Sequence, residues 1–301
     1  MNYQEFITSI KDSIAKRLTE GRTVRIEQIS KNNGMIYDGL IIIDPFINIS
    51  PTIYLNHYYY QYLSGASVSD ICDAIFSSYE KNLPTKDFDI SIFKDFSKAK
   101  SHIAMKLVNY EKNKALLEHS PHIPYLDLAI IFVCCITEFK QDFATIQIQY
   151  KHMDFWKIGT NELYEIAKKN TPLLLPPLLE HMKNSLHNFI DEKETDISNF
   201  QELPLYILTN ERKINGATTI LYENVLKEFA QEQNSDLIVL PSSIHEVILL
   251  PANENTLKNF DYNRMIREVN ATQLAGDEIL SDHAYYYSRE KNTLFHYDHT
   301  Q

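Results

Sequence analysis

Glycine is scarce in this 301-residue chain: there are seven, and no two of them form G-x-G or open a G-x-x-x-x-G-K. Dinucleotide folds and P-loops need glycine where backbone amides approach a phosphate closely, so neither is expected. Cysteine is also sparse. Cys72, Cys134 and Cys135 are odd in number, and the last two are adjacent inside an apolar run, which is no disulfide framework. Adjacent residues of a strand point to opposite faces, so Cys134 and Cys135 read as small core hydrophobes. Long apolar runs are missing too. The longest, LAIIFVCCI from Leu128 to Ile136, is about half of what a membrane helix needs. The opening MNYQEFITSIKDSIAKRL has no basic start followed by an apolar core, so no secretory signal is read there. A cytoplasmic, reducing location is expected.

Positive charge is in deficit. Against 40 acidic residues stand 29 basic ones, a formal charge of −11. Phosphate binding rests on clustered Lys and Arg, so a nucleic-acid partner or an anionic membrane surface is disfavoured. The densest basic stretch, Lys94 to Lys114, is diluted by Asp95 and Glu111 and reads as a solvated helix face. What is present is ordinary for a globular protein: 44% hydrophobic and 23% charged residues, enough for one large domain or two smaller ones.

Periodicity orders the chain. Tyr3, Ile7, Ile10, Ile14 and Leu18 share one helical face, and Gly21 follows its end. Asn33-Gly34 between two strand-like runs predicts a hairpin. A helix is read over TIYLNHYYYQYLSG, and Ser67 with Asp70 three residues on caps another, buried through Val68, Ile71, Cys72, Ile75, Phe76 and Tyr79. Residues Asn82 to Asp89 read as a linker, Phe93 to Leu117 as a long helix, and HSPHIP as its break. Strands follow over Tyr125 to Ile136 and Ala144 to Tyr150. A helix begins at Thr160 and is divided by Pro172, Pro176 and Pro177 from another over LLEHMKNSLHNFI. The remainder reads as a strand (Pro204 to Leu208), a helix (Ala217 to Gln231), a hairpin over LIVLPSSIHEVILLP, a helix (Glu254 to Val269) and a last hairpin turning near Glu290 to Asn292.

The polar tip of LIVLPSSIHEVILLP invites a catalytic reading through Ser243, His245 and Glu246. A serine nucleophile needs a base within about 3 Å. Residues two apart on a strand are roughly 6.6 Å apart, and Glu246 would point away from His245. A tight turn shortens the first distance, which keeps the three as candidates, although no G-x-S-x-G elbow lifts the serine from the backbone. The plainer reading is a turn whose hydroxyls bond nearby backbone.

Metal chemistry has less support. No H-E-x-x-H and no paired C-x-x-C occurs among the eleven histidines and three cysteines. His119 and His122 are hemmed in by proline, and His181 and His187 fall on different faces of a helix. No metal and no cofactor is expected. Two E-x-K triplets follow strands, Glu138-Phe139-Lys140 and Glu211-Arg212-Lys213. Nuclease sites use such a triplet with a further carboxylate, so Glu211 and Lys213 are the second candidate site. The nineteen tyrosines include the runs Tyr58-Tyr59-Tyr60 and Tyr285 to Tyr287. Tyr58, Tyr59, Tyr60, Tyr285 and Tyr287 are candidates for a contact surface, because tyrosine is enriched at interfaces; half-burial against a helix is the plainer reading of Tyr285 and Tyr287.

The stretches NNGMIYDGLIII, LTNERKINGATTILYENVL, LPSSIHEVILLP and LSDHAYYYSRE together resemble a bacterial family, domain of unknown function 5688, over nearly the whole chain. Asn210, Gly216-Ala217, Pro241-Ser242-Ser243 and His245-Glu246 carry most of the likeness. WKIGTNELYEIAKKN is also similar to part of a second family, domain of unknown function 1444. Neither resemblance implies an activity, a cofactor or a catalytic residue. Occurrence of the first family in gut-type bacteria and on mobile elements implies accessory biology such as phage or element conflict.

The expected fold is α+β: a mixed, mostly antiparallel sheet with helices packed on it. A break near His119 to Pro124 gives an N-terminal helix-hairpin-helical lobe over 1–118 and a mixed α+β lobe over 119–301. The alternatives are a break at Asn82 to Asp89 and a single compact domain. Two functions remain: a non-enzymatic protein that acts by binding a macromolecular partner, with another protein favoured over nucleic acid, or a hydrolase or metal-dependent nuclease with an unrecognised site.

Overall fold

The computed structural model describes residues 1–19, 21–83, 91–136, 144–182, 204–253, 256–257 and 260–298. The chain divides into two compact units, Met1–Ser91 and Ile92–Gln301.

The smaller unit opens with helix α1 (Tyr3–Arg17). Asn2 caps it: its side chain accepts the Glu5 N–H at 2.9 Å, and Glu5 accepts the Asn2 N–H at 3.0 Å. Strands β1 (Thr23–Ser30) and β2 (Ile36–Ile43) pair in antiparallel register from Thr23↔Ile43 to Ser30↔Ile36. Between them Asn33 and Gly34 take φ of 60° and 67°, the left-handed conformation that an Asn-Gly turn supplies at low cost. Strand β3 (Thr52–Tyr54) joins the other edge of β2 and runs into α2 (Leu55–Leu63). Helix α3 (Val68–Lys81) starts at the expected Ser67–Asp70 capping box. The core holds Ile10 and Ile14 of α1, Leu40 and Ile42 of β2, and Ile71 and Ile75 of α3. Val24 and Ile26 pack against it, so the alternation of β1 sends Arg25, Glu27 and Ile29 to the opposite face of the sheet.

Asp44, just after β2, ties the end of this sheet. Its carboxylate accepts the Phe46 N–H at 2.9 Å and the Arg22 Nε–H at 2.8 Å. The backbone donor, then the guanidinium, hold its pKa below the usual carboxylate value. A lowered folded-state pKa gives a stabilisation that is full above the unfolded value and is lost as pH falls through the folded one. The stability gap between the wild type and Asp44→Asn is therefore expected to be widest near neutrality and to close in acid. Thermal midpoints across pH check this, and a gap independent of pH would refute it.

The larger unit contains two open sheets. In the first, β6 (Leu128–Ile136) lies between β4 (Ile103–Asn109) on one side and β5 (His122–Tyr125) and β7 (Ala144–Gln147) on the other. The second has six strands: β8 (Pro177–His181), β9 (Tyr206–Asn210), β10 (Leu237–Pro241), β11 (Val247–Pro251), β12 (Tyr285–Ser288) and β13 (Thr293–His296), in the order β13-β12-β10-β11-β9-β8. Every pairing is antiparallel. Short helices α4 (Ser91–Lys94), α5 (Phe96–Ala99) and α6 (Lys114–Leu117) accompany the longer α7 (Tyr150–Trp156), α8 (Thr160–Leu174), α9 (Val225–Glu232) and α10 (Tyr262–Thr272).

One core gathers Met105, Leu107 and Phe132 from the first sheet, Val239, Leu249 and Tyr285 from the second, Leu163 of α8 and Phe229 of α9. On the other face of the second sheet, Ile238, Leu240 and Leu250 pack with Tyr262 and Ile266 of α10. Strands β10 and β11 are thus covered on both faces and central, as their near-continuous apolar pattern predicts. The α+β class holds, with mostly antiparallel sheets. Among the described residues, no helix is long and apolar enough to cross a membrane.

Several elements differ from the sequence reading. Phe93 to Leu117 is no long helix, because β4 occupies its middle: Ile103, Met105 and Leu107 enter one cluster while Ala104 and Val108 enter two others, so burial on both faces hides the alternation. A boundary at 118/119 would sever the seven β4–β6 residue pairs, whereas the compact units part between Ser91 and Ile92. Tyr125 belongs to β5, separated from β6 by a turn at Leu126 (φ 56°). Helix α8 runs through Pro172 to Leu174. Residues Pro177–His181 form a strand where a helix was expected, paired residue by residue with β9. Over Ala217 to Gln231 a 3-10 turn (Gly216–Leu221) precedes α9, broken at Asn224 with φ 67°. Residues 84–89 of the expected linker, Glu138 to Lys140, and residues 183–203 lie outside the described residues.

Candidate functional site

The hairpin of β10 and β11 ends in the loop Ser242 to Glu246, as expected. The Ser243 hydroxyl accepts the His245 N–H at 3.0 Å, and the Ser243 N–H donates to the Glu246 carbonyl at 3.1 Å. Imidazole Nδ1 of His245 accepts the Asn215 N–H at 3.2 Å, and the His245 carbonyl accepts the Thr209 hydroxyl at 2.7 Å. An Nδ1 that accepts a backbone N–H leaves the ring proton on Nε2 when the imidazole is neutral. The facing loop is equally closed: Asn210 Nδ2–H donates to the Ile214 carbonyl at 2.8 Å, and its Oδ1 accepts the Arg212 N–H at 3.0 Å. Gly216 lies in the seam between the two loops. A Cβ there would stand 2.1 Å from Thr209 Oγ1 and 2.4 Å from the His245 carbonyl oxygen. The residues that carry the resemblance, Asn210, Gly216, Ser243 and His245, are therefore one loop-to-loop clasp. Lys213 of the second candidate site forms an ion pair with Glu180 at 3.6 Å, while Glu211 is exposed.

A second constellation, missed from the sequence, surrounds Asp127. Its Oδ2 accepts the Ser281 hydroxyl at 2.6 Å and its Oδ1 accepts the Tyr285 hydroxyl at 2.7 Å. Burial, then the charge of Asp127, push the Tyr285 pKa well above its ordinary value, so the phenol stays a donor. Ser281 also accepts the His283 N–H at 2.9 Å, and Asn270 donates to the Ser281 carbonyl at 2.9 Å. Asp127 lines an open cleft of about 650 Å³ with Arg267, His283 and His296. The rings of His283 and His296 meet edge-on with centroids 5.6 Å apart. The stretch LSDHAYYY signals part of this network, but Asp127 stands 154 positions before Ser281 and no local spacing reveals it.

The tyrosine runs part company. Tyr285 and Tyr287 do not belong to a contact surface, because both are buried in β12; the Tyr287 hydroxyl donates to Asn292 at 2.6 Å. On α2, Tyr58 and Tyr59 are half-buried, and Tyr59 packs against Tyr3 and Phe6 with centroids 5.0 and 5.2 Å away. Tyr60 is 69% exposed and Leu63, one turn on, 61%. Cys134 and Cys135 are buried, and burial raises their thiols to about 11 and 12. Among the described residues, no three His, Cys, Asp or Glu are grouped to hold a metal ion.

Two compact units with mostly antiparallel open sheets define an α+β protein whose signature residues brace loops. The model described as "Family of unknown function (DUF5688)" matches residues 3–289. The chain belongs to that family. No curated protein and no solved structure matches it.

Proposed function

We propose that the chain acts by binding another protein, and that the exposed face of α2 formed by Tyr60 and Leu63, beside half-buried Tyr58 and Tyr59, is the contact surface. The exposure of Tyr60 and Leu63 on a helix with no charged residue carries this reading. Apolar and aromatic groups at i and i+3 lie side by side, and such a patch loses free energy when a partner covers it. The packing of Tyr59 on Tyr3 and Phe6 holds the patch in place. Its uncharged chemistry fits an apolar protein surface rather than a polyanion. The cytoplasmic setting and the link to mobile elements or phage rest on the sequence and the family resemblance alone.

The test is site-specific photocrosslinking in a native host. A benzophenone side chain at Tyr60 or Leu63 is expected to give one adduct of the same mass, which the same group at exposed Lys11 on α1 does not. Tyr60→Asp should abolish the Leu63 adduct. Adducts that are absent, or equally abundant from Lys11, would refute the reading.

A further inference from the structure

We propose that the chain forms a two-fold homodimer through the outer edge of β1, joining two three-stranded sheets into one of six strands. This stands apart from the contact surface on α2. Strand β1 is the edge of its sheet: the order is β1-β2-β3, and among the described residues β2 is the one strand paired with β1. It pairs with β2 over all eight residues without a skipped position, and its sequence TVRIEQIS has no proline or glycine. A long regular edge presents backbone N–H and C=O groups to another strand. Natural edges are usually blunted by proline, by a bulge or by charge; β1 has no proline and no bulge, and its two charged residues, Arg25 and Glu27, are of opposite sign.

The sequence also specifies the partner. A closed two-fold contact must be self-complementary, since each residue meets its symmetry mate's counterpart. With the axis at Ile26, an antiparallel pairing sets Arg25 opposite Glu27 of the second copy, and Glu27 opposite its Arg25. Ile26 then faces its own copy, and Val24 faces Gln28. Opposite charges directly across strands attract, whereas like charges repel. Moving the axis one residue either way sets Arg25 against Arg25 or Glu27 against Glu27, so charge selects the register centred on Ile26.

The structure has both sides ready. Arg25 and Glu27 lie together on the outer face, with Nε 3.0 Å from Oε1 and side chains 56% and 42% exposed. A guanidinium has five N–H donors, so Arg25 can hold its own Glu27 and that of a second copy. Two copies would place four alternating charges on one face. On the other face, Val24 and Ile26 pack against the core and yet are only half-buried. Pairing would cover their remaining surface and make the two cores continuous.

Sedimentation equilibrium of the full chain tests the proposal. The wild type is expected to be a dimer, Arg25→Glu and Glu27→Arg each monomeric, and the combined swap dimeric again, all with wild-type circular dichroism. A monomeric wild type, a dimer persisting in either single variant, or a monomeric double variant would overturn it. Ile26→Cys gives a reading that does not depend on the charge variants folding. The three native thiols are buried, so mild oxidation should produce a disulfide-linked dimer through residue 26, and its absence would equally overturn the proposal.

Discussion

Gly216→Ala is expected to lower the stability of the larger unit by about 3 kcal/mol, the upper range for forcing a methyl group into a closed core. The new Cβ would meet Thr209 Oγ1 at 2.1 Å, the His245 carbonyl oxygen at 2.4 Å and the Asn210 N at 2.9 Å. Two of these three atoms are backbone and cannot swing away. The third is held by its own hydrogen bond to His245. Relief therefore requires separating the loop after β9 from the tip of the β10–β11 hairpin. That also strains the bond from Asn215 N–H to the His245 ring. Urea denaturation followed by circular dichroism measures the change, and a loss below about 1 kcal/mol would show that the clasp yields easily.

The second large effect is expected at Asp127. Replacement by alanine removes the acceptor of both the Ser281 and the Tyr285 hydroxyls. A buried donor left unsatisfied costs about 1–3 kcal/mol. Ser281 keeps an alternative at the His283 carbonyl, 3.3 Å away, and its own hydroxyl is the remaining side-chain partner of the Tyr285 phenol. The expected loss is about 3 kcal/mol, shared between the two buried hydroxyls. Tyr285→Phe removes the orphaned donor, so adding it to Asp127→Ala should recover part of the loss. A double-mutant cycle in urea reads this directly. Strict additivity would show that the two groups act independently.

What was legible in the sequence was local. Helices α1 and α3 declare themselves through caps and a repeated apolar face, because a helix writes its burial at a fixed spacing. The hairpin at Leu237 to Pro251 and the turn at Asn33-Gly34 are visible for the same reason. Strand β4 was not, since side chains buried on both faces leave no period to read. The segment of β8, PLLEH, is too short to distinguish a strand from a helix, and pairing with β9 decides it. The site divides in the same way. Ser243 and His245 are neighbours in sequence, and their bonds could be weighed in advance as a turn. Asp127 and Ser281 meet only because β5, β6 and the segment before β12 converge, which no spacing encodes.

Strand β6 has a consequence for the life of the molecule. All nine of its residues, LAIIFVCCI, are buried, and none is charged. In a newly made or heat-opened chain this stretch is sticky and β-prone, with no proline or charge inside it to discourage stacking on other copies. Its partners β4 and β7 stand at unequal distances along the chain, so it must wait for both to pair with it. Refolding thus becomes a race between intramolecular capture and aggregation, one that dilution or a chaperone favours and crowding in a concentrated sample does not.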